Sequence, residues 1–98
     1  MDERYKITVE EKEKVLKNYF KQGLNGGIDT IPSKEKKKII ILQHLMDRFE
    51  VGKHYIEKEI NEILKQVNID HVSLRRYLIE YGFMERSDDC STYWVKEN

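Results

Sequence analysis

Apolar positions recur at helical spacing in four stretches of this chain and alternate with polar ones in a fifth, near the C-terminus. Val15, Leu16, Tyr19 and Phe20 share one face of an otherwise charged stretch, which predicts a first helix over about residues 8–22. Thr8-Val9-Glu10-Glu11 fits a capping box at its start, and Gly23, Gly26 and Gly27 end it and supply a connector. Ile28 to Ile31 reads as a short edge strand punctuated by Pro32. Ser33 then caps a helix running to about Phe49, with Ile39, Leu42, Leu45, Met46 and Phe49 in step. After the turn VGKHY and a one-bridge strand at His54–Ile56, residues 57–67 carry Ile60, Ile63, Leu64 and Val67 on one stripe. Asn68 and Ile69 lead into Asp70, the N-cap of a last helix closed by Gly82. In that helix Leu74, Tyr77, Leu78 and Tyr81 form the core stripe. FMERS and TYWVK then flank the turn-forming cluster DDCS.

Two short helices joined tightly behind a longer one, then a hairpin, are the parts of a winged helix-turn-helix. The expected fold class is mainly α with a small β-hairpin (α+β), winged helix-turn-helix-like, with an additional N-terminal helix. Ninety-eight residues make one domain, with the winged-helix-like core over about residues 33–96. Charged residues (37%) nearly equal hydrophobic ones (39%), so little apolar surplus is left once a core is built. The longest apolar run, Ile39 to Leu42, is too short to cross a bilayer, and no membrane partner is expected. The charged start MDERYKITVEEKEK lacks a signal-peptide core, and the single cysteine, Cys90, excludes an internal disulfide. Both suit a cytoplasmic protein.

Charge complicates the picture. Eighteen basic residues balance eighteen acidic ones, which argues against a protein that coats nucleic acid by charge alone. Residues 1–38 carry +3 and residues 39–98 carry −3, so the half with the hairpin is the acidic half. Lys34, Lys36, Lys37 and Lys38 sit in the first turns of the second helix, where cations oppose the helix dipole at about 0.3–1 kcal/mol each. They read either as a solvated cluster or as a phosphate site. Arg75 and Arg76 lie with Val72 and Ile79 on the side of the last helix opposite its core stripe. They could read guanine and hold phosphate, or pair with Glu80, Glu85 or the acidic preceding helix. Trp94 suits packing better than base stacking, and the tip Ser87-Asp88-Asp89-Cys90-Ser91 would repel phosphates.

Chemistry beyond binding finds no support. His44, His54, His71 and Cys90 match no zinc spacing, so no metal is expected. Gly23-x-x-Gly26-Gly27 lacks the Lys-Ser/Thr of a phosphate loop, and no serine stands in a nucleophile elbow. Cys90 on an exposed hairpin tip would make a poor partner for His71. Neither an enzyme nor a cofactor is expected.

The assembled motifs resemble a bacterial family, domain of unknown function 2087, from about Val15 to Trp94. The resemblance rests on Leu16…Tyr19-Phe20, Ile31-Pro32-Ser33-Lys34-x-Lys36-Lys37, Leu42…Phe49-x-x-Gly52-x-x-Tyr55 and Glu57-x-Glu59-Ile60-Asn61-x-Ile63-Leu64. It continues through Asp70…Leu74-Arg75-Arg76-Tyr77-Leu78, Gly82-Phe83-Met84-x-Arg86 and Tyr93-Trp94. It implies a winged-helix-like domain often appended to DNA-binding or other regulatory domains of transcriptional regulators, and no known reaction. Ile56 departs from it, standing where the family usually has a Ser or Thr cap. No partner domain is expected beside this one.

The sequence therefore predicts a transcriptional regulator that binds duplex DNA, with Lys34, Lys36, Lys37 and Lys38 on phosphates and Arg75 and Arg76 on the recognition helix. The alternative is a non-catalytic interaction or dimerisation module, acting as a homodimer through the N-terminal helix or with another regulatory protein.

Overall fold

Each helix opens where the local sequence can satisfy its unpaired N–H groups. The computed structural model describes residues 6–97, so residues 1–5 of the charged N-terminal stretch lie outside the described residues. Helix α1 (Val9–Tyr19) starts from Thr8, whose Oγ1 accepts from the Glu11 N–H at 3.1 Å while Glu11 Oε1 accepts from the Thr8 N–H at 3.4 Å. Helix α2 (Glu35–Leu45) starts one residue later than Ser33 would place it. Lys34 is its N-cap, with extended backbone, and makes no side-chain bond because an ammonium has no acceptor to offer the free N–H groups. The α-helix ends at Leu45, and the expected continuation to Phe49 tightens into a 3-10 turn over Met46–Arg48.

Strand β1 (Tyr55–Ile56) runs directly into α3 (Glu57–Lys65). Ile56 has no side-chain acceptor, so only half of a capping box forms: Glu59 Oε1 accepts from the Ile56 N–H at 2.9 Å. Helix α4 (His71–Glu80) begins from Asp70, whose carboxylate accepts from the Ser73 N–H, and Gly82 follows its end with φ +79°. Strands β2 (Met84–Arg86) and β3 (Thr92–Val95) form the hairpin, with Met84 opposite Val95 and Arg86 opposite Tyr93. β1 joins its other side, Tyr55 opposite Tyr93, giving an antiparallel three-stranded sheet in the order β1-β3-β2. The fold is α+β.

α2 is the central helix. Ile39, Ile40, Ile41 and Leu42 are all buried, a wider band than one stripe, because α1 and α4 both pack on it. Ile60 and Leu64 of α3, Leu74 and Leu78 of α4, Met84 and Tyr93 complete the core. Tyr77 and Tyr81 stop at its margin, half-buried.

The segment over Ile28 to Ile31 is not a strand. Its backbone is satisfied by the end of α3 instead: the Ile28 N–H donates to the Val67 carbonyl at 2.7 Å, and Asn68 Nδ2 donates to the carbonyls of Ile28 and Asp29. Gly27 makes this approach feasible, since a Cβ there would lie 2.6 Å from the Val67 oxygen. His44 Nε2 and Arg48 Nη2 meet the Leu24 carbonyl and hold the preceding turn. Among the described residues, no helix is long and apolar enough to cross a membrane.

Candidate nucleic-acid interface

The six cations singled out by the sequence do not form one cluster. α2 divides the lysines. Lys34, Lys36 and Lys37 line a groove shared with α1, and Lys36 Nζ forms an ion pair with Glu11. That bond, with the Thr8 N–H, holds the Glu11 carboxyl below its ordinary pKa. Lys38 turns the other way, toward α4, with its ammonium 4.2 Å from the Tyr77 ring centroid and 5.9 Å from that of Tyr81.

The two arginines also differ. Arg75 is tied down: its Nη1 donates to Asn61 Oδ1 and lies 3.3 Å from Glu57 Oε1, both on α3, and its guanidinium stands 5.6 Å from the Tyr93 ring centroid. Its side chain is 18% exposed. Of the two readings open in the sequence, pairing with the acidic preceding helix describes Arg75. Arg76 is 62% exposed, and its only ion pair among the described residues is a 3.8 Å contact with Glu80 one turn on. Such an exposed pair is worth about 0–1 kcal/mol and yields readily to a competing anion.

Tyr77 brings the two sides together. The Arg76 guanidinium stands 5.7 Å from the same ring that carries Lys38, which puts the two cations within about 10 Å of each other. The aromatic spacing of the last helix places Tyr77 on the core stripe, and the ring packs against the edge of the core. Its signal as a platform is a contact between residues 38 and 77, which no local pattern contains. Below it, Asp29, Ser33, Asn68, Asp70 and Ser73 line a polar cleft of about 490 Å³.

On the other side of α4, Val72, Ile79, Arg86 and Tyr93 join the arginines along a groove toward the hairpin. The hairpin tip is ordered by its own acid. Asp89 Oδ1 accepts from Ser87 Oγ (2.7 Å), Ser91 Oγ (2.7 Å) and the Ser91 N–H (3.0 Å), which hold its pKa at about 2. Asp89 is thus a structural acceptor inside the turn. Trp94 stacks on His54 with ring centroids 4.6 Å apart. No group of three His, Cys, Asp or Glu that could hold a metal occurs among the described residues.

A family model described as "Uncharacterized protein conserved in bacteria (DUF2087)" matches residues 27–95. The chain belongs to this family. No match was found among curated proteins or among solved structures. The DUF2087 segment begins at Gly27, the residue that lets the connector approach α3, and ends at Val95, the last residue of β3. It thus starts later than the resemblance did, leaving α1 with Leu16, Tyr19 and Phe20 outside. Every residue of the Lys38–Tyr77–Arg76 cluster and of the Arg75 tie falls inside the DUF2087 segment.

Proposed function

We propose that this chain is a winged-helix protein without catalytic activity that binds duplex DNA and acts in transcriptional regulation. The element order supports the winged-helix assignment: helices α2 to α4 with β1 before α3, then a hairpin that takes β1 as its third strand. α4 then holds the position of a recognition helix and β2–β3 that of a wing. The observation that carries the DNA reading is the Lys38–Tyr77–Arg76 cluster, in which cations from two elements stand on one ring at the margin of α4. Such a pair can straddle phosphates while Arg76 remains available to a base edge.

Anisotropy titration of a labelled mixed-sequence duplex at about 50 and 200 mM salt tests the reading. Salt-weakened binding is expected, with affinity falling about tenfold and the salt slope by about two in Lys38→Ala/Arg76→Ala. Absence of salt-sensitive binding, or a double variant that binds as well as the parent, would sink it.

A second reading rests on a specific observation: Ile69 is 91% exposed and Val72 50% exposed, three positions apart at the start of α4. An apolar pair there suits a protein-interaction module, including a homodimer. Sedimentation equilibrium decides it. A parent dimer that Ile69→Ser/Val72→Ser converts to a monomer would favour this reading over DNA binding.

A further inference from the structure

We propose that the groove between α1 and the start of α2 binds a small amphipathic organic anion, an aryl or branched-alkyl carboxylate. The groove measures about 330 Å³, at the lower end of the range for small-molecule sites. Its wall is apolar, made by Val15, Tyr19 and Ile40, while Lys14, Lys34 and Lys37 stand around it.

The charge balance there is unusual. Lys36 is neutralised by Glu11. Glu35, the one carboxylate in the first turn of α2, accepts from the hydroxyl of Tyr81, the residue that caps the end of α4, and does not line the groove. Lys14, Lys34 and Lys37 have no carboxylate within 4.0 Å among the described residues. Two of these three also crowd the positive end of α2, where each unmatched cation is unfavourable. A bound anion would relieve that repulsion, so the groove carries a charge deficit that a ligand corrects.

The apolar wall sets the rest of the chemistry. A hydrated inorganic anion would satisfy the lysines and leave the half-exposed Val15 and Tyr19 facing water. A DNA backbone would do the same, and the cation that meets α4, Lys38, lies on the opposite side of α2. An occupant with an apolar body and one carboxylate uses both parts of the groove at once. Asn18 supplies an amide on the same lining for a second polar group.

The test is an amide chemical-shift titration of the full chain with 4-phenylbutanoate, its neutral amide 4-phenylbutanamide, and inorganic phosphate. Saturable shifts are expected at Val15, Asn18, Tyr19, Lys37 and Ile40 with the carboxylate. The neutral amide should bind about tenfold more weakly or worse, as should the carboxylate on Lys34→Ala/Lys37→Ala, each tenfold being about 1.4 kcal/mol. A thermal melt confirms that the variant is folded, and bound carboxylate should raise the melting temperature of the parent alone. No saturable shifts, shifts centred elsewhere, equal affinity for acid and amide, or unchanged affinity in the double variant would each overturn the site. Phosphate reproducing the shifts with the same affinity would reduce it to a general anion contact and overturn the proposal too. No DNA enters the experiment, so this site and the DNA reading stand or fall separately.

Discussion

The two sides of α2 carry the same residue type and put it to opposite uses. Toward α1, Lys36 is matched by Glu11, while Lys34 and Lys37 border an apolar groove with no carboxylate partner among the described residues. Toward α4, Lys38 rests on Tyr77 and is drawn to within about 10 Å of Arg76. A run of lysines in a sequence suggests one electrostatic surface. Here a rotation of about 100° per residue sends consecutive ammoniums to different neighbours, and the neighbours decide what each can bind. One side offers a concave, partly apolar groove and the other a half-buried lysine beside an exposed arginine at the margin of α4.

The comparison fails most completely if the connector into α2 loses its seat beside the end of α3. Gly27→Ala places a Cβ 2.6 Å from the Val67 oxygen, and the connector must pull away from α3. A loss of about 1–3 kcal/mol is expected in urea unfolding, and an unchanged midpoint would show that the connector can shift without cost. Next in size, Arg75→Ala removes the tie to Asn61 and Glu57 and should cost about 1–2 kcal/mol. Arg76→Ala, at an exposed weak pair, should stay within about 0.5 kcal/mol. Equal losses at the two arginines would erase the distinction between a structural and an available guanidinium.

Smaller again, Lys37→Glu should raise stability by about 0.3–1 kcal/mol, since it replaces a cation near the positive end of α2 by a carboxylate. The same change should abolish carboxylate binding in the groove. A melting temperature that falls instead would mean that Lys37 is not the strained charge described above. The least effect is at the hairpin tip. The pKa of Asp89 is lowered from 3.8 to about 2, so its help to the turn is complete above the ordinary value and fades as pH drops through the lowered one. The Ser91 amide shift should follow that fade, and Asp89→Asn should remove the titration with little effect on global unfolding. A Ser91 amide that titrates near the ordinary carboxylate value would contradict the hydrogen bonds at the tip.

Local chemistry was legible in the sequence wherever a bond joins residues a few positions apart. The Thr8 and Glu11 box, the Asp70 cap and the Gly82 turn all lie within one helical turn of their partners. Ile28 to Ile31 has the local pattern of a strand, but its partners, Val67 and Asn68, lie about forty residues away and no local pattern contains them. Ser33 has the side chain of a cap, yet the helix starts one residue later, from Lys34, with no side-chain cap at all. At the candidate interface, periodicity put Arg75 and Arg76 on one side of α4, but only the packing of α3 separates them, through Asn61 and Glu57. Tyr77 packs against the core as its spacing predicts, and only the fold shows that its ring also carries Lys38, thirty-nine positions away.

Asn68 joins three segments through a single amide. Its nitrogen serves the carbonyls of Ile28 and Asp29, and its oxygen accepts from the Asp70 N–H at 2.8 Å. Only a side chain with donor and acceptor on one planar group can meet both demands: aspartate would set a negative oxygen against two carbonyls, and leucine would leave all three groups bare. The start of α4 and the connector behind α2 are therefore latched together. Amide hydrogens at Ile28 and Asp70 should exchange with solvent through one shared opening event, making this corner a single cooperative unit assembled from distant parts of the chain.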